Sequence, residues 1–270
     1  IDPEHLVTFG MNLGYNSCTW GAQRIRTNEA QLGFNIPWTV LFLMEEPHCS
    51  RHLPQYDRAV SEGEELGIYS WILLSHGNFL ELLPLIERHP DSAFFLFCRP
   101  EDISPAVLDE ITPLRHLMLV VRWGDQADEA CAMLRNARLP YSVYYPYSPD
   151  DLPFIRSGDL FCDTQQLHPL FTALAAKPDC PAEIQRQAHQ AAEELRNGQN
   201  YKTVPWELCY DTRSLDEIIS DDACCVLFDG QGQLIALDNP GCAPFACLFE
   251  EGLTSLIRRA YPKAPPASSL

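Results

Sequence analysis

Apolar runs of strand length alternate with segments of helical period over residues 36–177. Strands that are apolar throughout, each followed by a helix, are typical of a parallel sheet covered by helices, so the pattern predicts an α/β fold. The predicted strands are Trp38–Met44, Ile68–Leu74, Ala93–Phe97, His116–Val121, Tyr141–Tyr145 and Asp159–Phe161. The predicted helices are Gln55–Leu66, Phe79–Arg88, Pro105–Ile111, Gln126–Arg138, Pro149–Ile155 and Leu167–Ala176. Six such units fit either a partial (β/α)6 TIM-like barrel or a doubly wound sheet.

The pattern changes on both sides of this segment. Residues 1–35 show no clear period. Beyond it, a polar helix is predicted over Pro181–Gly198, with Gly198 as its C-cap. A hairpin follows, with its turn at Asp229–Gly232, and then a helix at Phe249–Ala260. The predicted division is therefore an N-terminal extension (1–35), a strand–helix domain (36–177), a small C-terminal α+β part (178–262) and a disordered tail (263–270).

Charge narrows the range of partners. The chain has 37 acidic and 19 basic residues and a formal net charge of -18. Such a field repels phosphate backbones and anionic lipid, so we expect neither nucleic acid nor a membrane as partner. A basic peptide, or a protein with a basic face, would be attracted. The alternative is that the acidic surface serves only to keep the protein soluble.

The cysteines indicate a reducing compartment. There are eleven, an odd number, and most lie in apolar runs, as Cys98 and Cys131 do. Such positions suit reduced thiols that act as small core residues, so we expect a cytoplasmic protein. No stretch approaches the roughly 18 apolar residues of a membrane span, and the start has no signal-peptide pattern. The opening Ile1 suggests a trimmed chain or a fragment of a longer one.

Ligand-capable and stacking side chains follow the predicted strands. In parallel α/β folds, functional residues collect where strands end and the next loops begin. We therefore predict a binding rim at these ends. Its residues are His76, Asn78, Arg99, Arg122, Trp123 and Tyr145.

The segment after the first strand is a candidate metal site. If it is helical, His48 and His52 lie one turn apart on one face, next to Cys49, in an arrangement that can bind a transition metal. Pro47 and Pro54 favour instead a loop in which both histidines are solvated.

A second candidate metal site lies around the predicted hairpin. Cys225, Cys242 and Cys247 could bind zinc or an iron–sulfur cluster. Their spacing contains no C-x2-C pair, and the adjacent Cys224 would point to the opposite face of a strand. The alternative is that these are buried thiols of a small subdomain.

Several segments together carry a resemblance to a known family. They are residues 33–49, 64–90, 93–122, 222–239 and 247–260. In this order they resemble the radical SAM enzymes with a SPASM-type C-terminal extension, over roughly residues 33–260. The resemblance implies a partial (β/α)6 TIM-like barrel with a small C-terminal α+β extension, made of a SPASM-like hairpin and helix. It supports the fold more than any activity.

Three departures from the family pattern argue against its chemistry. The family's C-x3-C-x2-C loop corresponds here to residues 45–55, in which Cys49 is the one thiol, whereas an iron–sulfur cluster needs three. The family's GGEP turn corresponds to residues 76–79, where Asn78 replaces the carboxylate. Leu237 stands where the hairpin would supply a cysteine for an auxiliary cluster. The resemblance thus implies no bound cofactor and no cleavage of S-adenosylmethionine.

Three functional hypotheses follow. The first is a non-catalytic relative that binds a peptide or protein partner at its aromatic rim. The second is a metal-dependent enzyme that uses strand-end ligands, with Glu45 or Glu46 as general base. Its candidate ligands are His48, Cys49, His52, His76 and Cys98. The third is an iron–sulfur protein with its cluster on the C-terminal cysteines.

Overall fold

A computed structural model describes residues 1–45, 48–77, 79–220, 224–236 and 247–263, with the backbone alone for Glu45, His48, Cys49, His76 and Ala236. The α-helices are α1 (Pro3–Gly10), α2 (Ala22–Leu32), α3 (His48–Leu66), α4 (Phe79–Glu87), α5 (Pro105–Ile111), α6 (Ala127–Asn136), α7 (Leu152–Ser157), α8 (Asp159–Thr164), α9 (Ala182–Gly198), α10 (Leu208–Ile219) and α11 (Leu253–Ala260). A π-helix (Met11–Gly21) joins α1 to α2. The strands are β1 (Thr39–Glu45), β2 (Ser70–His76), β3 (Ala93–Cys98), β4 (Leu117–Arg122), β5 (Tyr141–Tyr147), β6 (Phe171–Ala176), β7 (Val204–Glu207), β8 (Val226–Phe228) and β9 (Leu234–Ala236). The predicted α/β fold class is confirmed.

The chain divides into two compact units. The first contains residues 1–8 and 95–212, and the second contains residues 9–94 and the described residues from 213 onward. The division falls within β3. The domain boundaries predicted from the sequence, at residues 35, 177 and 262, stay predictions.

In the first unit, β4, β5, β6 and β7 are neighbours in that order and all run parallel. Pro146 lies within β5, where a missing N–H would break a ladder bond if both edges were paired. The pairing of β4 with β5 ends at Tyr144, whereas β6 pairs with β5 as far as Tyr147. Proline is therefore tolerated at a position where one edge of the strand has no partner in β4.

In the second unit, β1 lies between β2 and β8 and is parallel to both. The strands β8 and β9 form the predicted antiparallel hairpin, with Phe228 opposite Leu234, so the hairpin extends the sheet of β1.

Two buried carboxylates hold the elements around this sheet. Asp216 accepts hydrogen bonds from the backbone N–H groups of Trp38 and Cys224, and Glu29 accepts one from Ile36. These hydrogen bonds join α2 and α10 to the segments that precede β1 and β8.

The sixth predicted strand and helix are wrong. Residues 159–164 form α8, which follows Gly158 in a left-handed conformation (φ 82°). The predicted helix at Leu167–Ala176 is β6, preceded by a 3-10 turn at Gln165–Leu167. The alanine and leucine content of this segment favours a helix. Burial between β5 and β7 overrides that local preference, since each side of β6 has a hydrogen-bonding partner.

The loop favoured for residues 48–52 is also wrong. The helix α3 begins at His48 and continues through Pro54 to Leu66, so residues 48 and 52 are one helical turn apart. The predicted C-cap at Gly198 is wrong by one residue. Gln199 has the left-handed conformation (φ 53°), and Gly198 is the last residue of α9.

The N-terminal residues are helical although their sequence shows no period. Within the π-helix the backbone bonds join residues five apart, so apolar positions do not recur at α-helical spacing. Gly21 packs against the turn at Gly67, where a Cβ on Gly21 would lie 2.5 Å from the Gly67 carbonyl oxygen. A side chain at residue 21 would separate the two segments.

Two observations concern membrane insertion and the state of the cysteines. Within the ranges that the structure describes, no helix combines the length and the apolar character needed to cross a bilayer. Seven of the described cysteines are free thiols: Cys18, Cys98, Cys131, Cys162, Cys180, Cys209 and Cys247.

Candidate functional site

The carboxyl ends of four parallel strands meet along one edge of the first unit. β4 ends at Arg122, β5 at Tyr147, β6 at Ala176 and β7 at Glu207. In parallel α/β folds this edge carries the ligand-binding loops. The candidate site is therefore built from these four ends.

Three aromatic side chains form a half-buried group at this edge, which we call the aromatic cluster: Trp123, Tyr145 and Phe154. The ring centroids of Trp123 and Tyr145 are 5.6 Å apart, those of Trp123 and Phe154 6.2 Å, and those of Tyr145 and Phe154 6.3 Å. The cluster packs on the apolar core formed by α7, α8, α9 and the neighbouring strands. Its inner side is held by packing, and its outer side meets solvent.

The hydroxyl group of Tyr145 is held by a carboxylate. It donates to Asp151 Oδ1 at 2.7 Å. Asp151 Oδ2 accepts hydrogen bonds from the backbone N–H and the hydroxyl of Ser148, each at 2.7 Å. Burial would raise the pKa of the Asp151 carboxyl, but these bonds hold it below its ordinary value. The carboxylate next to the aromatic cluster is charged at neutral pH.

A second tyrosine of β5 lies beside two arginines. The ring of Tyr144 packs on Phe97 with a centroid separation of 5.1 Å. Burial raises the pKa of the Tyr144 hydroxyl to about 12, while the positive charges of Arg122 and Arg99 act against that rise. Tyr144 therefore stays protonated, as a neutral hydrogen-bonding group of the rim.

A buried carboxyl group lies at the end of β7. Glu207 is 0% exposed, and its Oε1 accepts a hydrogen bond from the Tyr147 hydroxyl at 3.0 Å. Its Oε2 accepts one from the backbone N–H of Tyr210 at 2.7 Å. Burial raises the pKa of Glu207 to about 7 and the charge of Asp211 adds to the rise, although both hydrogen bonds oppose it. Burial and Glu207 in turn hold the pKa of Tyr147 well above its ordinary value.

Arg196, the cation near Glu207, pairs with a different carboxylate, that of Asp211. Arg196 donates two hydrogen bonds to Asp211, at 2.8 and 3.0 Å, and His189 Nε2 lies 3.2 Å from the same group. Asp211 Oδ2 also accepts the backbone N–H of Glu207. Among the described residues, no lysine, arginine or histidine lies within ion-pair distance of the Glu207 carboxyl. Glu207 can therefore hold a proton near neutral pH, inside the protein and beneath the exposed edge.

The structure brings together some of the predicted rim residues. Trp123 and Tyr145 are in contact. Arg99 pairs with Glu101 and lies 3.7 Å from Asp102, and Arg122 is exposed at the end of β4. Asn78 and the side chain of His76 lie outside the described residues.

The predicted metal ligands are only partly described. The side chains of His48 and Cys49 and the whole of Cys242 lie outside the described residues. His52 stacks on Phe249 with a centroid separation of 3.8 Å, and Cys225 is buried. Cys247 donates through Sγ to the carbonyl of Gln231. Within the described part of the chain, no three histidine, cysteine or acidic side chains are grouped to hold a metal ion, and the metal sites stay predictions.

Sequence reasoning missed Glu207, Asp151 and Phe154. It placed no strand at residues 204–207, because VPWE contains a proline and is only four residues long. It assigned residues 149–155 to a helix without singling out its side chains. The proline-led turn Ser148–Asp151, in which an acid follows the serine by three residues, is the signal that could have identified Asp151.

Comparisons with known proteins give structural likeness without sequence likeness. No family model matches the chain, and no curated protein matches it. SuiB of Streptococcus suis, bound to S-adenosylmethionine, superposes with a TM-score of 0.60 at 9% identity, over 87% of this chain and 66% of SuiB. SuiB bound to its precursor peptide SuiA gives a TM-score of 0.58 at 9% identity, over 88% and 69%. The protein anSMEcpe with bound AdoMet gives 0.51 at 8% identity, over 83% and 82%.

These neighbours are radical SAM enzymes, and the likeness shows the fold. The chain has the radical-SAM-like partial TIM-barrel fold that the resemblance implied. It spans about two thirds of the length of SuiB. At such low identity the likeness assigns no activity.

Proposed function

We propose that this chain binds a peptide or protein partner at the carboxyl edge of β4–β7 and does not cleave S-adenosylmethionine. The observation that carries the proposal is the half-exposed aromatic cluster at the edge where parallel α/β folds bind ligands. Large aromatic side chains with one face packed and one face exposed are typical anchors of peptide and protein interfaces. We further propose that the protein is cytoplasmic, which its free thiols support.

Two further observations support a peptide partner. The structural neighbour SuiB has been described with its precursor peptide bound. The net charge of -18 attracts basic ligands over long range and raises their encounter rate.

The donor set in the sequence supports the absence of radical chemistry. A [4Fe–4S] cluster that leaves one iron for S-adenosylmethionine needs three thiolates from the loop after the first strand. Residues 45–55 contain one, Cys49, and the first turns of α3 continue with Ser50, Arg51 and His52. This donor set does not fit the cluster.

Peptide selection tests the binding half of the proposal. The full chain, immobilised, is used to select from a phage library of random dodecapeptides. We expect enrichment that W123L removes and W20L retains, since Trp20 is a half-exposed tryptophan of the second unit. Equal enrichment on the chain and on blocked matrix, or equal loss with both variants, would overturn the proposal.

Reconstitution tests the other half. The chain is incubated without air with iron, sulfide and reductant, then given S-adenosylmethionine. We expect no 5′-deoxyadenosine above the level found with the C49A variant. Formation of 5′-deoxyadenosine that depends on Cys49 contradicts the absence of radical chemistry.

A further inference from the structure

We propose that the aromatic cluster and Asp151 form a subsite for a cationic side chain, lysine or arginine, of the bound peptide. The inference rests on the proposed function and specifies its ligand. It depends on the placement of three rings and one carboxylate, all at the ends of β4 and β5 or in the segment that follows β5.

The ring geometry suits a cation. The three centroids form a nearly equilateral triangle with sides of 5.6, 6.2 and 6.3 Å. A cation above the centre of that triangle lies within about 6 Å of all three centroids, the distance at which ring quadrupoles attract positive charge. The planes of Trp123 and Phe154 are 32° apart, while that of Tyr145 stands at 70° and 75° to them. The cluster therefore presents ring surfaces in more than one direction.

The carboxylate provides the opposite charge. Asp151 is fixed by three hydrogen bonds, of which two go to Oδ2 and one, from Tyr145, goes to Oδ1. A carboxylate oxygen can accept two hydrogen bonds, so Oδ1 retains capacity for an ammonium or guanidinium donor. Because Tyr145 belongs to the cluster and bonds to Asp151, the charge and the rings are held next to each other.

A lysine of this chain already lies in the field of Asp151. The positive charge of Lys177 helps to lower the pKa of the Asp151 carboxyl. The backbone N–H of Lys177 donates to the Tyr147 carbonyl, while its side chain is exposed. Lys177 opposes an incoming cation at the subsite. Removing its charge should therefore strengthen the binding of a cationic peptide, an effect that a purely structural role would not produce.

An anionic ligand group is the competing occupant, because Arg122 and Arg156 flank the cluster residues in sequence. Arg122 precedes Trp123 and ends β4, and Arg156 follows Phe154 by two residues on α7. Residues two apart on a helix point in different directions, so Arg156 and Phe154 do not face the same ligand. The fixed charge bonded to the cluster is that of Asp151, and this favours the cation.

The test uses a peptide selected on the full chain and synthesised with a fluorescein label. Its lysine or arginine is replaced in turn by norleucine and by glutamate, and Kd is measured by fluorescence anisotropy. We expect about a tenfold loss of affinity with norleucine and a larger loss with glutamate. D151N should reduce the lysine-over-norleucine preference, and K177M should raise the affinity of the lysine peptide. K202M, which removes an exposed lysine elsewhere in the first unit, should leave both unchanged.

The outcomes separate the two proposals. If selection enriches no peptide, the proposed function itself is overturned. If peptides bind but lack a basic residue, tolerate norleucine, or prefer glutamate at that position, the cationic subsite is wrong while peptide binding stands. A K177M variant that binds the lysine peptide no better than K202M also contradicts the subsite.

Discussion

His89 and Glu207 are buried titratable groups in different units of the chain. Their surroundings indicate a structural role for His89 and a candidate functional role for Glu207. His89, in the second unit just before β3, is 6% exposed, with Nδ1 3.2 Å from Glu64 and Nε2 3.3 Å from Asp57. Glu207, in the first unit at the end of β7, is 0% exposed and accepts hydrogen bonds from a tyrosine and a backbone N–H. The histidine has two counter-charges, whereas no described cation lies within ion-pair distance of the glutamate.

The pKa of each group is raised, but the consequences differ. Burial would lower the pKa of His89, yet the carboxylates of Glu64 and Asp57 raise it above its ordinary value, which favours the charged form of the ring. Burial raises the pKa of Glu207 to about 7, so the carboxyl is held in its neutral form. His89 belongs to a network that joins α3 to the start of β3. Glu207 keeps an exchangeable proton at the end of β7, beneath the candidate site.

The largest expected effect comes from replacing Arg196, the cation that pairs with Asp211. R196M leaves the Asp211 carboxylate, which is 4% exposed, buried without its main counter-charge and next to Glu207. We expect the free energy of unfolding to fall by about 4 kcal/mol. Urea denaturation measures it, with R186M as control, because Arg186 is an exposed arginine of the same helix. Equal effects of the two substitutions would show that Asp211 does not need Arg196.

The second prediction concerns Glu207 and pH. Its folded pKa of about 7 lies above the ordinary 4.5, so the unfolded chain releases this proton first as pH rises. The stability it contributes is complete below pH 4.5 and is lost as pH rises towards 7, by about 3 kcal/mol. E207Q keeps the volume but cannot ionise, so its unfolding free energy should lack this decline. Thermal or urea unfolding at several pH values checks it, and parallel curves for the two proteins would refute it.

The third prediction concerns His89, with a smaller effect in a higher pH range. Its folded pKa is raised above 6.5, so the stability from its two ion pairs is complete below about pH 6.5 and is lost as pH rises through the folded pKa. H89Q should lower the unfolding free energy by about 2 kcal/mol at acidic pH and by less at alkaline pH. H168Q is a suitable control, because His168 is an exposed histidine of the first unit. A loss of stability in H89Q that does not change with pH would remove the ionic explanation.

The strands of the chain also differ in how well the sequence predicts them. Five of the six strands predicted in residues 36–177 are present, because their apolar runs are long and bounded by turn residues. The prediction was wrong for Phe171–Ala176, which forms β6, since alanine and leucine carry no local signal for a strand. The short β7 was missed altogether. Glu207 was therefore not recognised as a strand-end residue, although Tyr147, whose hydroxyl donates to it, lies just beyond a strand that was correctly predicted.

The sequence alone determined the α/β class, the hairpin and the placement of Trp123 and Tyr145 at strand ends, since these follow from hydrophobic period and turn chemistry over short distances. It also determined the number of thiols after β1. Only the tertiary structure decided that Phe154 joins the aromatic cluster, that Arg196 pairs with Asp211, and that Glu207 is buried beside Tyr147. Those contacts join residues from separate elements. Their energies depend on burial and counter-charge, which a local pattern does not encode.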